Sequence, residues 1–421
     1  MGRNICLNGI GLNGWGGGRD NLSMLVEGIN APGPDHRDDL TLLLSLGDTT
    51  SRIQRIIFHA ARCTIDGQIP KLRRLFDEIA DHFAISRNQE TIKVLRELEP
   101  NLQIVYARNH SRSIIRTMER HRMDVILPMM NPPGKGFNKP WVGYITDLQH
   151  RVLPRFFTPE AIRSRDRTFS QMVADAKVIV VNSRAVRDEA QRFYPHGRCS
   201  YVVLPFTPKI PQTWFDHEGI QGVRERYGVP ENYFLISNQF WIHKDHLTAL
   251  RGFKKATDRD SRMRDVHLVC TGATDDNRFP DYFSMFTDEV KKLGLKDQVH
   301  ILGHIPKQDQ LALLNGSLAV VQPTLYEGGP GGGSVYDAMS YGIPTIVSDI
   351  PINREIEEGN ITFFHVSNPS HLADCLIDRL DREYQQPSRE ALKELGRARA
   401  ARLHMKLDEA MELAITNARP S

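Results

Sequence analysis

Two α/β domains, each a mostly parallel sheet flanked by helices, are the fold class this sequence predicts. Three observations carry that expectation. At 421 residues the chain exceeds what one ordinary core holds. Apolar, β-rich runs alternate with segments of helical period through most of it, the pattern of parallel α/β layers. The stretch Leu204–Pro211 (LPFTPKIP) then places three prolines in eight residues between two such series, a stiff connector that continues neither helix nor sheet.

In the first half the apolar runs Ile5–Leu7, Leu42–Leu46, Val125–Leu127, Trp141–Ile145 and Val178–Val181 predict strands. Helices are expected at Asn21–Ile29, Gln89–Glu97 and Ala161–Ala174. In the second half strands are expected at Tyr233–Ile236, Val266–Cys270, Val299–Leu302, Ala319–Val321 and Thr345–Val347. Helices fall between them at Leu247–Lys255, Phe283–Leu293, Gln308–Leu314 and Val335–Tyr341. After Ser388 one long proline-free helical pattern runs to Asn417. The expected division is residues 1–208, 209–390 and a C-terminal helical segment, 391–421.

Composition excludes several classes of function. The formal charge of +3 gives no argument for nucleic acid as a partner. Five cysteines (Cys6, Cys63, Cys199, Cys270, Cys375) are scattered and form no C-x-x-C pair, which argues against zinc and disulfide frameworks and fits a reducing cytoplasm. Asp258-Arg259-Asp260 has the letters of a D-x-D metal site, but it follows a basic helix and reads as an exposed turn. No signal peptide and no membrane span are expected, so any membrane contact is peripheral. Arg108, Arg112, Arg116 and Arg120 recur every four residues, with His110, His121 and Arg122 beside them. A solvated helix face is the plain reading, and a surface that meets anionic lipid or a phosphate-bearing acceptor is the functional one.

The chemistry concentrates in Pro323–Ile356, PTLYEGGPGGGSVYDAMSYGIPTIVSDIPINREI. A short strand leads into a loop of five glycines, and a helix pattern starts at Ser334. Such a loop leaves backbone N–H groups bare, and a helix N-terminus adds about half a positive charge, so phosphate oxygens suit the position. Ser334 and Asp337 also have the spacing of a capping box, a purely structural reading. No Gly-Lys-Ser/Thr follows, so this is not a Walker loop, and an acid precedes the glycines, unlike a dinucleotide fingerprint.

This segment resembles the nucleotide-sugar motif of the retaining glycosyltransferases of the group 1 (family 4-like) family. Glu327 stands before the turn Gly328–Gly333. Asp337, Ala338-Met339, Gly342, Pro344, Ser348-Asp349 and Glu355 follow in the family's order. The resemblance implies the GT-B fold: two Rossmann-like domains facing across a cleft, with the C-terminal helix returning to the first. It implies that Glu327 faces the donor sugar and Asp337 the ribose hydroxyls, although nine residues separate the two acids where the family has seven, and the second is Asp. Ser237–Leu247 (SNQFWIHKDHL) resembles the segment that sets a basic residue against the donor diphosphate. Lys244 is that residue, and Asn238-Gln239 replace the usual Gly-Arg.

In the first half Gly14–Asp20 resembles the family's glycine loop, which gives Gly16, Gly17 and Gly18 to the cleft. Trp141–Phe157 resembles its "HD" segment, with Thr146 where many members carry histidine. Asp147, Gln149 and His150 are then candidates for the acceptor side, and His150 for contact with the sugar. Val180–Ser183 resembles the strand end that borders the acceptor. Catalysis is thus expected from Glu327, His150 and Lys244. Donor binding is expected from Lys244, Glu327, Gly331, Gly332, Gly333, Ser334, Asp337 and Asn238.

The activity implied is transfer of a sugar from a nucleotide-diphosphate donor to an acceptor hydroxyl, with retention and with no cofactor or required metal. A glycan or lipid-linked acceptor in cell-envelope synthesis, and a donor such as GDP-mannose, lead the expectation. Three rivals stay open: a nucleotide-sugar epimerase of the same fold, a NAD-dependent enzyme using the first glycine loop with Asp48, and a silent nucleotide-sugar-binding partner of a true transferase.

Overall fold

The structure, a computed structural model, describes residues 2–12, 16–33, 38–46, 88–205, 207, 219–357 and 359–416. Two separate parallel sheets organise it. The first holds β1 (Asn4–Asn8), β2 (Asp39–Ser45), β3 (Gln103–Ala107), β4 (Val125–Met129), β5 (Trp141–Ile145), β6 (Val178–Val181) and β7 (Ser200–Val203), in the order β3-β2-β1-β4-β5-β6-β7. The second holds β8 (Tyr233–Ser237), β9 (His267–Thr271), β10 (Val299–Gly303), β11 (Ala319–Gln322), β12 (Thr345–Ser348) and β13 (Ile361–Phe364), in the order β10-β9-β8-β11-β12-β13. These are the two halves of a GT-B architecture.

Central strands such as Val178-Ile-Val-Val and Tyr233–Ser237 are buried along their whole length, as strands covered by helices on both faces must be. The helices begin where chemistry allows. Thr158 accepts from the N–H of Ala161 ahead of Pro159, and Asn368 accepts from Ser370 and His371 ahead of Pro369. Gly342 ends the Gly332–Tyr341 helix at φ 71°, a left-handed stop that suits glycine.

Three strands went unforeseen, β3, β7 and β13. All lie at sheet edges and are only partly buried, so their apolar runs are broken. Two helix starts also need correcting. The helix expected from Asn21 begins at Gly16, which puts Gly16, Gly17 and Gly18 in its first turn, not in a loop before it. The helix expected from Ser334 begins at Gly332, so Ser334 is not its cap. Gly14, Trp15, Gly47, Asp48, Cys63, most of the Leu204–Pro211 connector and Asn417 lie outside the described residues.

The Arg389–Thr416 helix leaves the second domain and packs into the core of the first. Leu403, Leu407, Ala410, Met411 and Ala414 are buried with Leu22, Leu25, Val26 and Ile29 of the Gly16–Asn30 helix. Gly28 allows that crossing: a Cβ there would lie 2.7 Å from the side chain of Leu403. Arg3 ties the same helix down through Asp408 and Glu412.

The domains meet at the carboxyl ends of their strands, where α/β sheets bind ligands. Phe156 of the first packs edge-on to Phe279 of the second, with ring centres 5.5 Å apart. Gly328, in the loop after β11, lies so close to Thr146, just past β5, that a Cβ would stand 2.2 Å from the Thr146 carbonyl oxygen.

Candidate active site

Glu327 heads the glycine turn, and its carboxylate Oε1 accepts from Lys244 Nζ at 2.5 Å and from Gln322 Nε2 at 2.9 Å. Both members of the ion pair are buried, at 9% and 7% exposure. The structure thus brings together the acid and the base that the sequence singled out separately. Lys244, expected at the start of a helix, does not begin one. It closes a short 3₁₀ turn, Ile242–Lys244, ahead of the His246–Arg259 helix. The anion that its position calls for is, in this state, Glu327. His243 and His246 flank the lysine, and burial first, then the Lys244 charge, pushes both imidazoles down, His246 to about 3. They stay neutral, and the positive charge of this turn is that of Lys244.

The turn is built by glycine. Gly331 and Gly332 have φ of 71° and 70°, a region that L side chains avoid. A Cβ on Gly332 would sit 2.9 Å from Glu327 Oε2, so a side chain there would displace the carboxylate. Asn353, fully buried, accepts from the Gly331 N–H at 2.9 Å and donates to the Ser348 carbonyl. Asn353 was missed by sequence reading, although it lies within the motif. Gly333 and Ser334 follow in the first turn of the helix. Ser334 donates to Gln322 Oε1 at 3.3 Å instead of capping, and Asn238 donates to the same oxygen at 2.7 Å.

Asp337 does not complete a capping box either. Its carboxylate pairs with Lys307 at 2.5 Å, from the start of the Lys307–Asn315 helix. Asp20, on the first domain's Gly16–Asn30 helix, is within electrostatic reach of both. Its side chain keeps solvent contact, yet desolvation in the cleft pushes its carboxyl up, against the pull of Lys307. Asp20 therefore marks where the first glycine segment approaches the second domain.

Across the cleft the expected residues divide. Asp147 accepts from the N–H of Gln149 and so orders the short Gln149–Val152 turn. Gln149 reaches the second domain, accepting from Arg278 Nη1 at 3.0 Å. His150 does not face the Glu327 carboxylate. It is fully buried inside the first domain, with Nε2 at 3.1 Å from Asp166 and 3.2 Å from the Tyr194 hydroxyl, and Phe157 and Phe169 against its ring. Burial pushes its imidazole down despite Asp166. The resemblance of Trp141–Phe157 to the family's "HD" segment suggested a cleft histidine, but the helical turn at Gln149 rotates the ring into the core.

The segment after β6 does border the second domain. Ser183 donates to the Gly328 carbonyl at 3.4 Å. Glu355, the last acid of the motif, accepts from the N–H groups of Arg184 and Ala185, both at 2.7 Å, and so caps the first domain's Arg184–Phe193 helix. The same helix carries Glu189, which accepts from the Tyr326 hydroxyl at 2.8 Å. Burial pushes the Glu189 carboxyl up to about 7, with the Tyr326 bond pulling the other way.

Among the described residues no cluster of three or more His, Cys, Asp or Glu could hold a metal, and Asp258 and Asp260 of the D-x-D letters are engaged by Lys254 and Arg262. No described helix is long and apolar enough to cross a membrane.

Residues 223–399 match the family described as glycosyl transferases group 1. Glycosyltransferase 1 domain-containing protein 1 of Xenopus tropicalis is 27% identical over 209 residues, 48% of this chain and 56% of that protein. The O-antigen chain mannosyltransferase RfbU of Salmonella typhimurium is 32% identical over 126 residues, 30% of this chain and 32% of that one. Mannosylfructose-phosphate synthase of Agrobacterium fabrum is 27% identical over 128 residues, 30% and 28% of the two chains. The matches thus span between about a quarter and just over half of these curated relatives. Among solved structures, HepE of Anabaena in complex with UDP and glucose superposes with a TM-score of 0.55 at 14% identity, over 98% of this chain and 96% of that one. Sucrose-phosphate synthase of Thermosynechococcus elongatus does so with 0.59 at 13%, over 99% and 97%. The motif from Glu327 to Glu355 thus lies inside the segment that matches the group 1 glycosyl transferases, with the GT-B fold around it.

Proposed function

We propose that this protein transfers a sugar from a nucleoside-diphosphate donor to an acceptor hydroxyl, with retention of anomeric configuration. One observation carries the reading: a buried lysine and glutamate meet at the head of a glycine-rich turn, opposite the first domain's Thr146–Asp147. Bond breaking at the anomeric carbon leaves positive charge on the sugar and negative charge on the departing diphosphate. Lys244 and the bare N–H groups at the start of the Gly332–Tyr341 helix are suited to the diphosphate. Glu327 is suited to the sugar, and Asp337 to the ribose. The acceptor oxygen bonds to the anomeric carbon as the carbon–phosphate oxygen bond breaks, and the acceptor proton leaves on the departing phosphate. No metal or cofactor enters these steps.

A nucleotide-sugar donor is supported by HepE, solved with UDP and glucose, and a mannosyl donor by RfbU. For the acceptor we favour a cell-envelope glycan on a lipid carrier, met by peripheral contact with an anionic membrane. Arg112, Arg116 and Arg120 of the Ser111–Arg120 helix are all exposed, and its single acid, Glu119, is paired with Lys139. Like charges four apart weaken a helix, so an anionic surface relieves a standing repulsion.

The test is a thermal-shift panel over UDP, GDP, ADP and CDP, followed by mass spectrometry of products from the matching nucleotide sugar. A ligand that binds only the folded state raises its apparent stability. A shift with one diphosphate, and release of that diphosphate with glycosylated acceptor, is the expected result. Products with an inverted sugar epimer and no acceptor, or binding with no turnover, refute transfer.

A further inference from the structure

Glu327 Oε1 has two holders of different kinds. Lys244 ends in an ammonium on a four-carbon stem with several rotatable bonds. Gln322, at the end of β11, is 1% exposed and locked. Its amide oxygen accepts from Asn238 Nδ2 and from Ser334 Oγ, so its NH₂ group has to lie on the other side, where it donates to Glu327. Those partners come from three places: the residue after β8, the first turn of the Gly332–Tyr341 helix, and the head of the glycine turn. The other carboxylate oxygen, Oε2, receives no hydrogen bond among the described residues. It faces the space left by Gly332.

This asymmetry matters once a donor enters. Lys244 cannot give full strength to Glu327 and to a diphosphate together. As the ammonium turns to phosphate, Glu327 loses its cation and would be free to swing. We propose that Gln322 is the positioning residue of this site: it keeps Glu327 Oε1 fixed while Lys244 changes partner, so that Oε2 stays aimed at the sugar. The proposal rests on the reading of Glu327 as the sugar-facing acid. Sequence reading did not single out Gln322.

Two variants of near-glutamine size test it. Gln322→Met removes the donor to Glu327 and the acceptor for Asn238 and Ser334. Gln322→Glu keeps an acceptor oxygen for Asn238 and Ser334 but sets a second carboxylate against Glu327. Each is titrated calorimetrically with whichever of UDP, GDP, ADP or CDP the wild type binds, and hydrolysis of the matching nucleotide sugar is followed. For Gln322→Met we expect turnover to fall about 10- to 100-fold, the weight of one hydrogen bond to a charged group, with diphosphate affinity within twofold of wild type. Gln322→Glu falls further, again without loss of diphosphate affinity. A scaffold role gives the opposite order, with Met worse than Glu and diphosphate affinity falling together with turnover, and that result overturns the proposal. So does a Gln322→Met turnover within twofold of wild type. A wild type that binds none of UDP, GDP, ADP and CDP fails the donor reading itself and takes this proposal with it, whereas normal wild-type binding with the wrong variant order fails the proposal alone.

Discussion

Lys244→Ala separates what the buried lysine does for the fold from what it does for a ligand. Its ammonium lies 2.5 Å from Glu327 Oε1, and both residues are buried. Removing one member of such a pair leaves the other charge uncompensated, at a typical cost of about 3–5 kcal/mol. Gln322 still donates to the same oxygen, which places the expected loss near the lower end, about 3 kcal/mol. If so, the charge and not the lost packing is the source, and Lys244→Ala/Glu327→Gln should recover most of it. Scanning calorimetry on wild type, both single variants and the double variant measures the coupling. Titration calorimetry then reads function: nucleoside diphosphate should bind about one to two decades more weakly to Lys244→Ala, the weight of one charge-assisted contact of about 1.5–3 kcal/mol, and the bare nucleoside nearly as before. Equal stability of Lys244→Ala and the double variant would refute the electrostatic account. Equal losses for the two ligands would move the diphosphate away from Lys244.

Glu327→Gln should cut turnover by more than about 100-fold while diphosphate affinity holds, since an interaction made in the transition state is lost; turnover within twofold of wild type removes Glu327 from the site. Gly328→Ala should leave the melting temperature of each domain nearly unchanged but force the domains about 1 Å apart at Thr146, where a 2.2 Å contact must open, and a misplacement of that size costs about 100-fold in rate. Undiminished transfer by Gly328→Ala shows that the closed approach is not the working one. Glu189 links pH to the interface: its carboxyl is raised from 4.5 to about 7 on folding, so its contribution is complete below 4.5 and is lost as pH rises through 7. Melting temperature should fall more between pH 5 and 8 in wild type than in Glu189→Gln, and parallel curves would dismiss this group.

The central strands were legible because strands covered on both faces are written as unbroken apolar runs, as at Val178–Val181 and Tyr233–Ser237. Three of the four edges were not, because β3, β7 and β13 need apolar residues on only part of their surface, whereas the edge strand β10 was expected at Val299–Leu302. Glu327 and Lys244 were legible as separate motif positions, but their meeting depends on how two loops after β8 and β11 fold together, which no spacing records. His150 misled for a related reason. One residue of helical turn after Asp147 decides whether a side chain enters the cleft or the core, and a local pattern carries no such phase. Gln322 and Asn353 left no signal of their own, because an amide is informative only through its partners.

The closing helix has a consequence for how the chain is made. The apolar stripe of Leu22, Leu25, Val26 and Ile29 is covered by Leu403, Leu407 and Met411, almost four hundred residues later in synthesis. At about 5–20 residues per second the ribosome needs on the order of 10–40 s to travel from β7 to the end of that helix. Throughout that interval the second domain can close its own core, while the first, though synthesised earlier, stands with one face bare. The order of completion is therefore reversed relative to the order of translation, and a nascent chain halted before Leu403 exposes the surface that chaperones bind.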